Sequence, residues 1–287
     1  MRFSRNQNKF GTLQSDLSPL KDAVDYRLTK LPSLYLFVER FREWVNWDKR
    51  IYLSFVRPGD TVLDVGANVG AHTVFLSHMV GEDGRVLAFE PLPRNVDSLR
   101  ETVRHRARFA NISIFPVAVG NPDSANQRVT MKVPGGDLTQ ASLAVQTAGS
   151  WESEAEIGEV TCEITKLDAE KEVRALSRLD LLKLDVEGGE LAALRGAAQT
   201  ITRLRPLIYC EVYEKWAASF GYTPTDLLRF VGSLGYSDAR VISKGRVHAV
   251  SPDRSPPPGM FETSSDVLFF SDKHRPLVDV FDKRYLR

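Results

Sequence analysis

The chain has 287 residues, with 38 basic and 37 acidic side chains and a formal charge of +1. That length supports one large α/β domain or two small ones, and hydrophobic residues at 43% with charged residues at 26% exclude a disordered, collagenous or coiled-coil chain. A charge near zero gives no general pull towards nucleic acid or an anionic membrane, and two cysteines, Cys162 and Cys210, are too few for a disulfide framework and lack metal-ligand spacing.

The opening MRFSRNQNKF has no apolar leader core, and no apolar run approaches the roughly 18 residues that a membrane span needs. The expectation is a soluble, cytoplasmic protein with no membrane span and no nucleic-acid partner. Residues 1–57 read as a helical N-terminal extension, ahead of one domain over residues 58–287. Within the extension, residues 34–47 place Leu36, Phe37, Phe41, Trp44 and Val45 at helical spacing.

After the turn Arg57, Pro58, Gly59 and Asp60, Thr61–Val65 (TVLDV) is a short apolar run suited to a strand buried on both faces. Gly66 to Gly70 follow, then a helix with Ala71, Val74, Phe75, Met79 and Val80 on one face. His72, Thr73 and His78 fall off that face, and Gly81 ends the helix. Residues 85–90 (RVLAFE) predict the next strand, Val96, Leu99 and Val103 the next helix, and residues 112–119 (ISIFPVAV) a third strand. This rhythm predicts a doubly wound, mostly parallel sheet with right-handed crossovers.

Residues 128–133 and 159–167 then alternate with period two, as half-buried antiparallel strands do. They predict an inserted β-hairpin with its loop, about 126–168, carrying a Gly-, Ser- and Thr-rich stretch at 134–158. Such a loop is often functional. The earlier rhythm resumes with a strand at 180–186 (DLLKLDV), a helix over 190–201, a strand at Leu207–Val212, and a helix near 225–234. Two final strands, near 239–242 and 266–270, flank the proline-rich turn 255–259.

Asp64, Val65, Gly66, Ala67, Asn68, Val69 and Gly70 leave a buried strand and enter a helix, whose first turn offers unpaired N–H groups. Glu90 ends the next strand twenty residues beyond Gly70, where a carboxylate can accept both ribose hydroxyls. The pair suggests an adenosine-containing ligand; the plainer alternative is a helix-cap glycine and a solvent-facing Glu. A pyrophosphate cofactor prefers three glycines as G-x-G-x-x-G, which is missing, and would meet the like charge of Asp64. S-adenosylmethionine carries an ammonium and a sulfonium instead, so an Asp at that turn can help hold the ammonium while N–H groups take the carboxylate.

In these blocks the sequence resembles the FkbM-type S-adenosylmethionine-dependent methyltransferases. The resemblance rests on DVGANVG (64–70), FEP (89–91), VAVG (117–120), TKLD (165–168) and LKLDVEGGEL (182–191), in that order. It implies a class I, Rossmann-like methyltransferase fold and O-methylation of a sugar or secondary metabolite. It also implies that Asp64, Gly66, Ala67, Asn68 and Gly70 line the methionine part, Glu90 and Pro91 the ribose, and Ala118 and Val119 the adenine edge, with Asp185 close by. Lys166 within TKLD and Gly189 within the DVEG block depart from the usual pattern.

Acceptors of open α/β sheets bind at the carboxyl ends of the strands. Asp185 and Glu187 end one core strand and Glu211 the next, so these three are the catalytic candidates. They can take the acceptor's proton, or Asp185 and Glu211 can hold a divalent cation that acidifies the hydroxyl. Glu190 reads as a first-turn helix charge, His72 as a polar first-turn residue, residues 104–108 (RHRAR) as a solvated helix end without interleaved aromatics, and both cysteines as core. The rival functions are an NAD(P)-dependent oxidoreductase and a non-catalytic S-adenosylmethionine-binding domain. The acceptor side implies a small molecule, a glycan or a lipid-linked sugar as partner.

Overall fold

A computed structural model describes residues 27, 29–31, 34–35, 46–123, 127–146, 151 and 156–286. The helix expected over 34–47 and most of the 1–57 extension therefore lie outside the described residues, as do parts of the 134–158 loop. The described chain runs α1 (Trp47–Phe55), β1 (Thr61–Val65), α2 (Ala71–Val80), β2 (Arg85–Phe89), α3 (Pro93–Arg106), β3 (Ile112–Phe115), β4 (Ala118–Val119), β5 (Gln127–Pro134), β6 (Ile157–Thr165), α4 (Lys171–Arg174) and β7 (Leu181–Leu184). It continues through α5 (Glu190–Arg195), α6 (Ala198–Leu204), β8 (Leu207–Val212), α7 (Glu214–Ser219), α8 (Pro224–Ser233), β9 (Asp238–Ser243), β10 (Arg246–Val250), β11 (Ser265–Phe270) and α9 (Arg275–Tyr285).

The main sheet has the order β10-β9-β11-β8-β7-β1-β2-β3. Strands β3, β2, β1, β7 and β8 are parallel, whereas β11 runs antiparallel to both β8 and β9. The chain builds outward from β1 to β3, then returns to place β7 on the other side of β1. That reversal opens a crevice at the carboxyl ends of β1 and β7, where such sheets bind ligands. Strands β1, β7 and β8 are buried almost throughout, as apolar runs without alternation require. One apolar cluster packs α5, α6 and α8 against the sheet, and another packs α1, α2 and α9 on the opposite face.

Several local expectations change. The run 112–119 is not one strand: β3 ends at Phe115, Pro116 and Val117 turn the chain, and β4 joins a second sheet of order β4-β6-β5. Proline supplies no ladder N–H, which is why the run divides there. The β5–β6 pairing is antiparallel, matching Gln127 with Ile164 through to Pro134 with Ile157.

Thr73 and His78 are buried rather than solvated. Helix α2 is covered by β2, α1 and α3, and its polar atoms are paired: Thr73 Oγ1 with Asp64, Ser77 Oγ with Asn111 Oδ1, and His78 Nε2 with the Arg106 carbonyl. The helix expected over 190–201 divides into α5 and α6 at Gly196. A Cβ there would stand 1.9 Å from the Gly120 carbonyl oxygen, so the chain leaving β4 packs directly on that backbone. Asp168 then caps α6 from a distance, accepting from the N–H groups of Gln199 (2.9 Å) and Thr200 (2.8 Å). Elements α7, β10 and α9 have no counterpart in the sequence reading. Cys162 and Cys210 are free and buried in strands.

Candidate active site

The crevice holds a cavity of about 400 Å³ walled by the loop after β1, the ends of β2 and β7, β4, and the inserted sheet. Among the cofactor candidates, Gly66, Asn68, Glu90, Pro91, Ala118, Val119 and Asp185 line it; Asp64, Ala67 and Gly70 do not. Asp64 is fully buried behind the wall, its carboxylate taken by Thr73 Oγ1 at 2.6 Å and Lys183 Nζ at 3.2 Å. Asp64 is expected from the sequence to help hold an ammonium, directly or through water, and its carboxylate already meets Thr73 and Lys183. Ala67 is likewise buried, donating its N–H to the Phe89 carbonyl at 3.0 Å. Gly70, at φ +89, lies under α3, where a Cβ would meet Leu99 at 2.5 Å. Gly66 is needed for a different reason from ligand approach: a Cβ at this φ +81 position would stand 1.8 Å from the Asp185 carbonyl oxygen.

Glu90 is 4% exposed and braces its loop, with Oε2 accepting from Asn68 N–H at 2.9 Å. Its Oε1 accepts from Leu92 N–H at 3.0 Å and Asn95 Nδ2 at 3.3 Å. Burial raises its pKa against these bonds. A carboxylate offers about four acceptor sites, so Oε2 keeps capacity for another donor on the cavity side. Asn68, held at φ +49, leaves a buried Oδ1 with no partner among the described residues.

The loop after β7 is clamped from three directions. Glu190 Oε1 accepts from the N–H groups of Val186 and Gly188, both at 3.1 Å. Tyr222 donates to the Gly188 carbonyl (3.0 Å) or Glu190 Oε2 (3.1 Å). From the inserted segment, buried Ser142 and Gln146 donate to the Glu187 carbonyl at 2.7 and 3.0 Å. Glu190 is the expected first-turn residue of α5, and it is also a buried brace for the loop; burial raises its pKa to about 7.

Glu187 lines the cavity, and its Oε2 is buried without a partner among the described residues. Burial, then the charges of Asp185 and Glu211, push its pKa to about 10, so it is a neutral acid at pH 7. Glu211 is not part of the wall, but it hydrogen-bonds Asp185 and accepts from Ser264 Oγ. Burial and the Asp185 charge raise its pKa to about 9. Beside this pair, Tyr209 bridges Asp48 of α1 and Asp266 of β11 (2.9 Å to the latter), and His72 Nδ1 pairs with the Tyr52 hydroxyl at 3.1 Å.

The sequence reading missed Lys183, which is 2% exposed between Asp64 and Asp185. Its signal was present: a lysine inside LLKLDV, two residues before Asp185 and so on the same face of the strand. Among the described residues no group of three or more His, Cys, Asp or Glu is arranged to hold a metal ion. Asp185 and Glu211, the pair weighed from the sequence for a divalent cation, hydrogen-bond each other.

The model of the methyltransferase FkbM domain matches residues 64–237, from the strand before the glycine turn to the residue before β9. The chain belongs to the FkbM methyltransferase family. It is 30% identical over 161 residues to the 31-O-demethyl-FK506 methyltransferase FkbM of Streptomyces tacrolimicus, a match covering 49% of this chain and 60% of that one. It is 25% identical to Methyltransferase 1 of Beauveria bassiana, covering 60% and 72% respectively. It is also similar to the crystal structure of Methyltransferase FkbM from Methylobacillus flagellatus KT, at 14% identity and a TM-score of 0.43, covering 89% of this chain and 60% of that one. The match to the Streptomyces relative thus spans less than two thirds of that protein's length.

An FkbM domain has the class I, Rossmann-like α/β fold and takes S-adenosylmethionine as its donor, which sets the NAD(P) reading aside. The cavity fits such a group: its volume lies within the roughly 300–1,000 Å³ of small-molecule sites, and Asn68 Oδ1 faces burial unsatisfied. Among the described residues no helix is long and apolar enough to cross a membrane.

Proposed function

We propose that this FkbM-domain protein methylates a hydroxyl group of a small molecule, a sugar or a secondary metabolite, either free or as part of a glycan or lipid-linked sugar. Supporting this, the Streptomyces relative is named for an O-methylation, and the carboxyl groups of Asp185 and Glu187 stand at the end of β7 in the cavity wall. In this reading residues 58–287 act as one methyltransferase domain. The inserted segment, whose Leu138, Thr139, Ala141 and Leu143 line the cavity, covers the acceptor.

When bound, S-adenosylmethionine supplies a methyl carbon already activated on a sulfonium. Gly66 and Asn68 hold its methionine end, Glu90 and Pro91 its ribose, and Ala118 and Val119 its adenine edge. The observation that carries the reading is the hydrogen-bonded Asp185–Glu211 pair, whose Asp185 lines the cavity. As the acceptor oxygen bonds the methyl carbon, the carbon–sulfur bond breaks with its electron pair left on sulfur. The hydroxyl proton passes to the Asp185 carboxylate, and Glu211, as the neutral partner, fixes that carboxylate's orientation. Glu187, also neutral, can donate a hydrogen bond to the acceptor. In-line positioning supplies much of the remaining rate.

The test is transfer of labelled methyl from S-adenosylmethionine to a panel of sugar and polyketide alcohols, with amines alongside. Label on oxygen is expected, falling roughly 100-fold or more in Asp185→Asn while S-adenosylhomocysteine binds as before. Label on nitrogen, or full activity in Asp185→Asn, would refute it.

A further inference from the structure

A lysine inside a buried parallel strand needs a reason, because an apolar residue there would avoid the desolvation of its charge. Lys183 Nζ lies 3.2 Å from Asp64 Oδ1 and 3.5 Å from Asp185 Oδ2, and donates to the Gly66 carbonyl at 3.3 Å. Two of these three partners, Gly66 and Asp185, are cavity wall. Burial opposes its charge, but Asp64 and Asp185 outweigh burial and keep the ammonium protonated. The acidic groups acting on it from around are Asp64 on β1, Asp185 on β7, Asp48 on α1 and Asp266 on β11.

Methyl transfer converts a cationic sulfonium into a neutral thioether, so positive charge disappears from the donor as the reaction proceeds. Unbalanced carboxylates beside the donor would stabilise the reactant more than the transition state and raise the barrier. We propose that Lys183 is a positioning residue that sets the charge of the donor site, balancing Asp64 and Asp185 so that the site does not favour the sulfonium over the spent thioether. This rests on the cavity being the donor site. The balance is struck by a group that contacts neither substrate.

The experiment compares calorimetric affinities for S-adenosylmethionine and S-adenosylhomocysteine, whose difference in charge is the sulfonium. At an effective dielectric near 20, one unit charge removed within about 12 Å shifts a cation's affinity by roughly tenfold or more. In Lys183→Met the preference for S-adenosylmethionine over S-adenosylhomocysteine should therefore rise about tenfold or more above wild type. In the double variant Asp64→Asn/Lys183→Met, which removes both charges of the pair, it should return to the wild-type value. A purely structural lysine would change stability in both variants and leave the preference alone; that outcome overturns the proposal. If Lys183→Met does not fold, Asp64→Asn alone serves as the mirror case, where the preference should fall, and an unchanged value there refutes the idea equally. Wild-type protein binding neither ligand would instead overturn the placement of the donor, a result distinct from either of these.

Discussion

Replacing Glu90 by glutamine tests whether its carboxylate reads the ribose or only braces the loop. The substitution keeps the shape and removes the charge, and the surroundings make the amide uncomfortable either way round. With Nε2 in place of Oε2, the amide faces the Asn68 N–H, now 2.9 Å from a second donor. With Nε2 in place of Oε1, it faces the Leu92 N–H at 3.0 Å and Asn95 Nδ2 at 3.3 Å. The first orientation conflicts with fewer donors, and it also removes the acceptor capacity on the cavity side. The frustrated buried donor lowers stability, while the lost bond from ligand to a charged acceptor is about 1.5–3 kcal/mol, or roughly a 10- to 100-fold weaker Kd for S-adenosylhomocysteine. Glu90→Ala, which strands all three donors, should lose more. The assay is calorimetric titration beside thermal melting of each variant. If Glu90→Gln melts lower yet binds within twofold of wild type, the carboxylate is a brace and the ribose assignment fails.

Glu187 provides a stability test. Its folded pKa of about 10 lies above the ordinary carboxyl value, so above pH 4.5 the folded state holds a proton that the unfolded chain has lost, and stability falls as pH rises towards 10. Glu187→Gln lacks this loss, so melting curves should show it gaining on wild type from pH 5 to pH 8 by several degrees; parallel curves would contradict the burial argument. Asp168→Ala removes both caps on α6 and should cost about 1–2 kcal/mol, lowering the melting point by a few degrees with S-adenosylhomocysteine affinity unchanged. Gly66→Ala, clashing with the Asp185 carbonyl, should abolish ligand binding or folding. Gly81→Ala, at φ +71 and ψ −168 with open space around the added carbon, meets backbone strain alone, about 1–3 kcal/mol, and should still bind ligand; similar losses in the two melts with ligand binding lost in both would refute the distinction.

The layers of the fold were legible wherever local periodicity decides the outcome. TVLDV and RVLAF are too apolar for any but a two-sided strand, and the amphipathic stretch with Val96, Leu99 and Val103 between strands forces a crossover. Local pattern fails where a distant partner decides. The run ISIFPVAV is apolar along its length, yet its second half pairs with β6 some 45 residues later. Thr73 and His78 look like surface residues until Asp64 and the Arg106 carbonyl arrive to satisfy them. In the site, Asp64 reads as a charge awaiting a ligand, and Lys183 hides in an apolar run. Only the register of β1 against β7, which sets them opposite one another, shows that they answer each other.

Strand β4 has a bearing on how such an enzyme could be altered. The inserted sheet looks like a detachable module, entering after β4 and leaving at β6. Yet β4 is a strand of that sheet and also presents Ala118 and Val119 to the cavity, while the Gly120 carbonyl is wedged on Gly196 of the scaffold. A chimaera that grafts β5 to β6 from a relative would therefore inherit half a sheet and place it against a foreign edge. Exchanging acceptor preference between such enzymes should succeed only with crossovers set before Pro116 and after Asp168, carrying the β4 wall of the cavity along with the insertion.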